Sequence, residues 1–448
     1  MLVVLAILAF LLAPLLINLI VSGFSPEQKT ATVVLTRLML ASPILFGISA
    51  IFSGVLQYFQ KFLAYSLAPV LYNLGIIAGI LFLYPLFGIL GLGLGVLGGA
   101  LFHVGIQIPA VLQSGFRWQP IFRFRHPAIL RALGLAFPRT IAALGFHINL
   151  LVVTALASTI SIGSITIFTF ANNLQHIPSS LVGISFALAS FPVLSRLFVQ
   201  QDGTIFRETF SRALRQIIFF VAPVSVLFFL LRTPLIRLIY GAGEKFDWEA
   251  TRLTAAALGI FAFGILFYAL LPLFVRTFFA VQDTKTPTLA SFLGIGLNII
   301  LAIVFLRVFA HQGFFTDLTA AVLKLEDIDD IRILALPLAL VVSAAVQFFV
   351  LLFLFTKKIQ GVLNRELILF VGKTFFSSLV LGVVAYIILR VSGEIFALRT
   401  YMEVLGQMML ASVGGIASYL TAAYILKFSE AQNLLRIVTA HWHGKPHS

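Results

Sequence analysis

The feature that most constrains this chain is the rhythm of its apolar stretches. Twelve runs stand at roughly 1–22, 38–58, 67–87, 89–112, 138–158, 164–192, 216–240, 253–279, 288–309, 333–356, 368–390 and 403–427. Each is long enough to cross about 30 Å of hydrocarbon as a helix. The polar segments between them alternate in charge. With Met1 on the cytoplasmic side, the inner loops and C-terminus hold 19 Lys and Arg against 5 Asp and Glu, the outer loops 11 against 11, so the whole net charge of +14 falls on one side. Basic residues collect on the cytoplasmic side of bacterial-type membrane proteins. The pattern predicts a multi-pass protein of the bacterial plasma (inner) membrane with both termini in the cytoplasm.

A soluble fold is excluded by composition. With 60% hydrophobic residues, 10% charged residues and a mean hydropathy of +1.08, a water-soluble globule could not hide its apolar surface. The expected class is all-α, a polytopic bundle of about twelve transmembrane helices. The pI of about 10.2 does not point to nucleic acid, because the charge sits in short loops beside spans, where anionic headgroups account for it. With 0 Cys there is no disulfide framework, thiolate nucleophile or cysteine-ligated metal. No P-loop, nucleophile elbow, HExxH or dinucleotide turn follows a strand, so neither an enzyme nor a cofactor is expected. The N-terminus is apolar from its first residues, without the basic lead-in of a secretory signal. It reads as a true span, either natural or preceded by sequence outside this chain.

The largest inner segments are 114–138, with Arg117, Arg123, Arg125 and Arg131, and 195–215, with Arg196, Arg207, Arg212 and Arg215. The first is the expected joint between two halves. An internal echo agrees: Gln57–Asn73 (QYFQKFLAYSLAPVLYN) and Phe278–Asn298 (FFAVQDTKTPTLASFLGIGLN) each leave one span, pass a Lys and a Pro, and place an Asn inside the next. Repeated transporter halves give weak symmetry of this kind. Prolines inside or at the ends of spans, among them Pro14, Pro69, Pro178, Pro223 and Pro272, each free a backbone carbonyl and bend a helix. Together they favour a bundle with a hollow or moving interior.

The polar content of the spans is amide, imidazole and hydroxyl, with no Asp or Glu at mid-depth to form an acidic proton relay. Asn172, Asn173, Gln175 and His176 cluster just before Pro178 and occupy more than half of a helix circumference, so some of them must face protein or water. They either line a cavity or hydrogen-bond between helices. His103 and Gln107 share one helix face, and Asn149 lies beside His147 in the fifth span. Arg139 and Arg276, at the cytoplasmic ends of the fifth and eighth spans, are the cations nearest any cavity, placed to meet a phosphate or to snorkel to headgroups. Glu326, Asp327, Asp329 and Asp330 form the single acidic cluster. A membrane transferase would need such carboxylates to hold magnesium, but one cluster beside Lys324 and Arg332 reads as solvated surface. The run LGLGLGVLGG at Leu90–Gly99 reads as close helix packing.

Several segments then carry a resemblance. Ser42–Phe62 (SPILFGISAIFSGVLQYFQKF), Leu67–Ile77 (LAPVLYNLGII), Gly91–Phe116, Ala155–Arg196 with its ALAS, FANNLQHIPSSLVG and FPVLSR motifs, and Val275–Thr288 (VRTFFAVQDTKTPT) together resemble the MurJ (MviN) lipid II flippase family, in order over about the first 310 residues. The resemblance implies two six-helix lobes around a cavity that opens to either side, with two further C-terminal spans offering a groove to a lipid tail. It implies transport of undecaprenyl-diphosphate-linked disaccharide-pentapeptide from the inner to the outer leaflet by alternating access. Counting back from the motifs puts Met1 at the family's third span. The expected lobes are therefore 1–127 (four spans) and 128–360 (six), with two extra spans and a cytoplasmic tail at 361–448.

Two departures matter. The absent first spans normally bring cavity arginines, and where the family reads Tyr-Ala-Asp-Arg-Leu this chain reads Phe170-Ala171-Asn172-Asn173-Leu174, placing Asn173 where an arginine is expected. An acidic residue that some relatives place near Val153 is not evident, which leaves the coupling ion undetermined. Diphosphate binds bidentate guanidinium well and amides poorly. The expected substrate site comprises Arg139, Asn149, Asn172, Asn173, Gln175, His176, Arg196 and Arg276, without metal. Expected partners are the lipid-linked saccharide, the surrounding lipids and cell-wall synthesis proteins. The other open readings are an exporter of a different lipid-linked saccharide and an inactive truncated homologue acting as a scaffold.

Overall fold

The computed structural model describes residues 2–116, 127–241, 246–311, 313–359, 361, 364–395 and 400–432, with side chains for all of these except 128–139, 141–143, 146 and 395. Among the described residues there is no strand. The helices are α1 (Leu2–Ile20), α2 (Pro26–Tyr58), α3 (Phe62–Phe87), α4 (Ile89–Gln113), α5 (Pro127–Ser158), α6 (Ser164–Val199), α7 (Gly203–Leu230), α8 (Arg232–Tyr240), α9 (Trp248–Ala280), α10 (Lys285–Phe309), α11 (Phe314–Leu323), α12 (Arg332–Lys358), α13 (Arg365–Glu394) and α14 (Tyr401–Ile425). Eleven of these, all but α5, α8 and α11, are long and apolar enough over their described residues to cross a membrane. The expected span at 138–158 lies in α5, whose stretch His147–Ser158 is apolar. The chain is thus an all-α, multi-pass membrane bundle.

Hydropathy located the helices but not all their ends. α2 begins at Pro26, twelve residues before the expected 38, because Ser25 and Gln28 form a capping box and Pro26 fills the first helical turn. The expected single span 216–240 is two helices, broken at Leu231. There Arg232 donates to the Phe229 carbonyl at 2.7 Å and closes the end of α7. The sequence marks the break with Arg232-Thr233-Pro234, which puts a proline in the first turn of α8.

The chain forms two compact units, Met1–Ile141 and Ala142–Ser448. In the first, α3 and α4 approach to backbone contact. A Cβ on Gly75 would lie 2.3 Å from the Cα of Gly99, and one on Gly79 would lie 2.4 Å from that of Gly95. No larger residue fits there, so the glycine run is packing, as its spacing predicted. The neighbouring polar groups are tied internally: Ser49 Oγ meets His103 Nδ1 at 2.8 Å, and fully buried Gln107 donates to Ser49 at 2.5 Å and accepts from Ser53 at 3.0 Å.

In the second unit α9 is buried along most of its length and serves as the central post. One end is filled by phenylalanine. Phe210 of α7 packs at 5.4 Å on Phe274 of α9 and at 4.6 Å on Phe355 of α12. Prolines set the bends. After Pro178, α6 widens into a π-helical turn over Ser179–Ile184, and Gly183 within it rests on the Ala269 backbone of α9. In α7, Pro223 lacks the N–H that would bond the Phe219 carbonyl. That oxygen instead accepts the buried Tyr419 hydroxyl of α14 at 2.7 Å.

Candidate functional site

The second unit contains a small cavity of about 50 Å³ lined by both amide and apolar side chains, Leu150 and Phe168 among the latter. On α6 the positions 172, 175 and 176 follow i, i+3, i+4 spacing and share one face, so Asn172, Gln175 and His176 all line it. Asn149 and Val153 of α5 stand opposite, with Tyr268 of α9 and Leu340 of α12 completing the wall. Asn173 points elsewhere and is exposed. Four of the eight expected residues are therefore brought together.

Hydrogen bonds order the amides. Gln175 donates to Asn172 Oδ1 at 3.2 Å, and Asn149 Oδ1 accepts from Asn298 of α10 at 2.6 Å. Asn298 is 1% exposed, and sequence reasoning placed it in the internal echo without assigning it to the site. A single Asn in an apolar run carries no sign of its partner 149 residues away. Gln175 Oε1 and Asn298 Oδ1 are buried and accept nothing among the described residues. Each such orphan costs about 1–3 kcal/mol. The arrangement is neutral and rich in acceptors, suited to water or hydroxyl donors. It offers amide oxygens and no carboxylate, so the charge of a coupling cation bound there would stand uncompensated.

Arg196 and Arg276 do not line this cavity. Arg276 is half-buried on α9, two turns beyond Tyr268, and Arg196 is exposed near the end of α6, about 30 Å of helix from His176. The side chain of Arg139 lies outside the described residues. Basic side chains gather instead at the span ends. Arg215 pairs with Glu366 at 3.3 Å, and Lys358 pairs with Asp283 at 2.8 Å. Partial burial opposes the charge on Asp283, but the Lys358 ammonium and both the N–H and the hydroxyl of Thr286 outweigh it, holding the carboxyl down to about 2. At the opposite ends of α9 and α12, Asp327 accepts from Arg252 at 2.5 Å and Asp330 from Arg332 at 2.6 Å, so arginines engage two carboxylates of the acidic cluster. Both hydrogen bonds keep these carboxyls below their ordinary range.

The family model described as lipid II flippase MurJ matches residues 1–406. The probable lipid II flippase MurJ of Borreliella burgdorferi is 31% identical over 264 residues, 58% of this chain and 51% of that protein. The lipid II flippase MurJ of Burkholderia cenocepacia is 27% identical over 290 residues, 63% of this chain and 55% of that protein. The chain thus spans about half the length of these curated relatives. A solved structure titled lipid II flippase MurJ, inward closed conformation, superposes with a TM-score of 0.74 at 24% identity, covering 95% of this chain and 80% of that one.

Proposed function

The chain belongs to the lipid II flippase MurJ family, and from that membership we propose that it carries an undecaprenyl-diphosphate-linked peptidoglycan precursor from the inner to the outer leaflet by alternating access. The observation that carries this reading is the family match over residues 1–406. The helical bundle and its proline-bent spans are consistent with a transporter that moves between states. On this reading the protein lies in the bacterial plasma membrane with both termini in the cytoplasm, a location supported by the basic bias of alternate loops. Arg139, Arg196 and Arg276 are the cations assigned to the diphosphate, and the amide face of α6 contacts neutral sugar or peptide groups. Cell-wall synthesis proteins are partners on this reading.

The neutral, acceptor-rich lining around Asn149, Asn172 and Gln175 favours one second reading, an exporter of a different lipid-linked saccharide. One experiment separates them. The chain is expressed, with membrane insertion verified, in bacteria depleted of their own lipid II flippase, and outer-leaflet lipid II is measured. Restored exposure is expected. Verified insertion without restored exposure would exclude the lipid II reading for this chain and leave the other saccharide or an inactive homologue.

A further inference from the structure

The ten-residue helix α11 has no part in the transport reading, and its exposed side is apolar. Phe314 is 80% exposed, Val322 56%, and Phe315 and Leu318 48% each. At 3.6 residues per turn these four and Ala321 fall within about 120° of the helix circumference, with Asp317 at one edge. The other face holds buried Leu323 and half-buried Thr316, Thr319 and Ala320. Its hydroxyls are turned onto backbone carbonyls: Thr316 donates to His311 at 2.9 Å and Thr319 to Phe315 at 2.8 Å. The exposed face therefore presents apolar side chains bordered by one carboxylate.

Both ends of α11 are tied to the same end of the bundle, where α10 stops and α9 and α12 begin. At its start, Thr316 holds the His311 carbonyl just past α10, and Phe315 packs edge-on against Phe309, the last residue of α10, at 6.3 Å. At its far end, the Lys324 carbonyl accepts from Arg252 of α9, and Leu323 and Leu325 sink into the core cluster that holds Ile333 and Leu334 at the start of α12. Arg252 lies one turn inside Trp248, the first residue of α9, which is 57% exposed. A tryptophan exposed at a span end marks the boundary between hydrocarbon and headgroups. A helix of ten residues is about 15 Å long, half of what a crossing needs, so α11, pinned at both ends, lies along that boundary and not through the membrane. We propose that α11 is an interfacial helix, seated in the headgroup region with Phe314, Leu318 and Val322 turned into the upper acyl chains. Lipid already surrounds the bundle at this level, and an apolar face beside an exposed tryptophan matches the interface in depth and in chemistry. Asp317, at the edge of the face, stays with water and headgroups.

The chain has 0 Cys, so a bimane label on Leu318→Cys or Val322→Cys reports the surroundings of this face in the full protein. Each variant is reconstituted in phosphatidylcholine vesicles that contain lipid brominated either near the headgroup or near the chain end, with iodide admitted to both sides as the aqueous quencher. Glu326→Cys, on the exposed stretch after α11, is the water reference. Size-exclusion profiles establish that each variant is folded. Both α11 labels should be quenched by lipid brominated near the headgroup and less by lipid brominated near the chain end. Iodide should quench them about threefold or more less than the Glu326→Cys label. Iodide quenching equal to that of the reference would place the face in water and overturn the proposal. Protection from both iodide and brominated lipid would show that a second copy of the chain covers the face, and would overturn it equally.

Discussion

At the scale of single residues, the contact between Tyr419 and Phe219 shows how a proline inside a span is tolerated. Pro223 removes the N–H that would have bonded the Phe219 carbonyl, and Phe219 is buried in protein. The Tyr419 hydroxyl supplies the missing donor and in doing so ties α14 to α7. Tyr419→Phe should destabilise the protein by about 1–3 kcal/mol, the cost of a buried polar group left unpaired. A Pro223→Ala background restores the helical N–H, so the same substitution should cost much less there. This coupling is readable from denaturant or thermal unfolding in detergent as a double-mutant cycle. Equal losses in the two backgrounds would mean that Tyr419 acts through packing alone. Asp283 gives a pH-dependent counterpart. Its pKa is depressed from 3.8 to about 2, so the stability it contributes is complete above about 3.8 and lost as the pH falls through about 2. The melting temperature of Asp283→Asn should therefore lie below that of the wild type at neutral pH, with the gap closing between about pH 4 and pH 2.

At the scale of helices, the α3–α4 contact was legible because only glycine at that spacing permits backbone approach. Gly79→Val should overpack the interface and cost about 1–3 kcal/mol or more, whereas Gly98→Val, whose Cβ would meet nothing within 4 Å, should be nearly neutral. Comparative unfolding of the two variants checks this, and similar losses would place the close contact elsewhere. The two turns of the internal echo share their backbone form with two others. α2, α6, α9 and α14 end with left-handed residues, Gln60, Gln201, Gln282 and Lys427, and each following N–H reaches five residues back: Lys61 to Leu56, Asp202 to Leu197, Asp283 to Phe278 and Phe428 to Ala423. This is the Schellman ending, usually made with glycine. Sequence reading recognised the echo but could not assign it to the backbone, since three glutamines and a lysine carry no left-handed signal. The site divides in the same way. The face shared by Asn172, Gln175 and His176 follows from helical spacing, while Asn298 and Tyr268 reach it through tertiary contacts that no local pattern encodes. The break at Leu231 has a local signal in Arg232, Thr233 and Pro234, which hydropathy averaged over the whole run passes over.

At the scale of the whole molecule, the deciding quantity is charge. A net +14 assigned wholly to one set of alternate loops makes a topological claim that fails if a single span is miscounted, because every later loop would then change sides. The helices leave the count of crossings intact only if α5 crosses through its apolar stretch His147–Ser158 and if α7 with α8 crosses once despite the break at Leu231. The chain contains 0 Cys, so single-cysteine variants can be labelled without altering a native thiol. Cysteines at Gln60, Gln201, Gln282 and Lys427 should react with a membrane-impermeant maleimide only after the inner membrane is opened. Cysteines at Ser161, Asp247, Gly313 and Thr400 should react in intact spheroplasts. If α8 ended on the cytoplasmic side, Asp247 and Gln282 would exchange behaviour and every later position would follow. If α5 failed to cross, the inversion would begin at Ser161. Labelling of the eight sites therefore identifies which helix departs from the expected path, and a clean alternation would establish that the basic loops all face the cytoplasm.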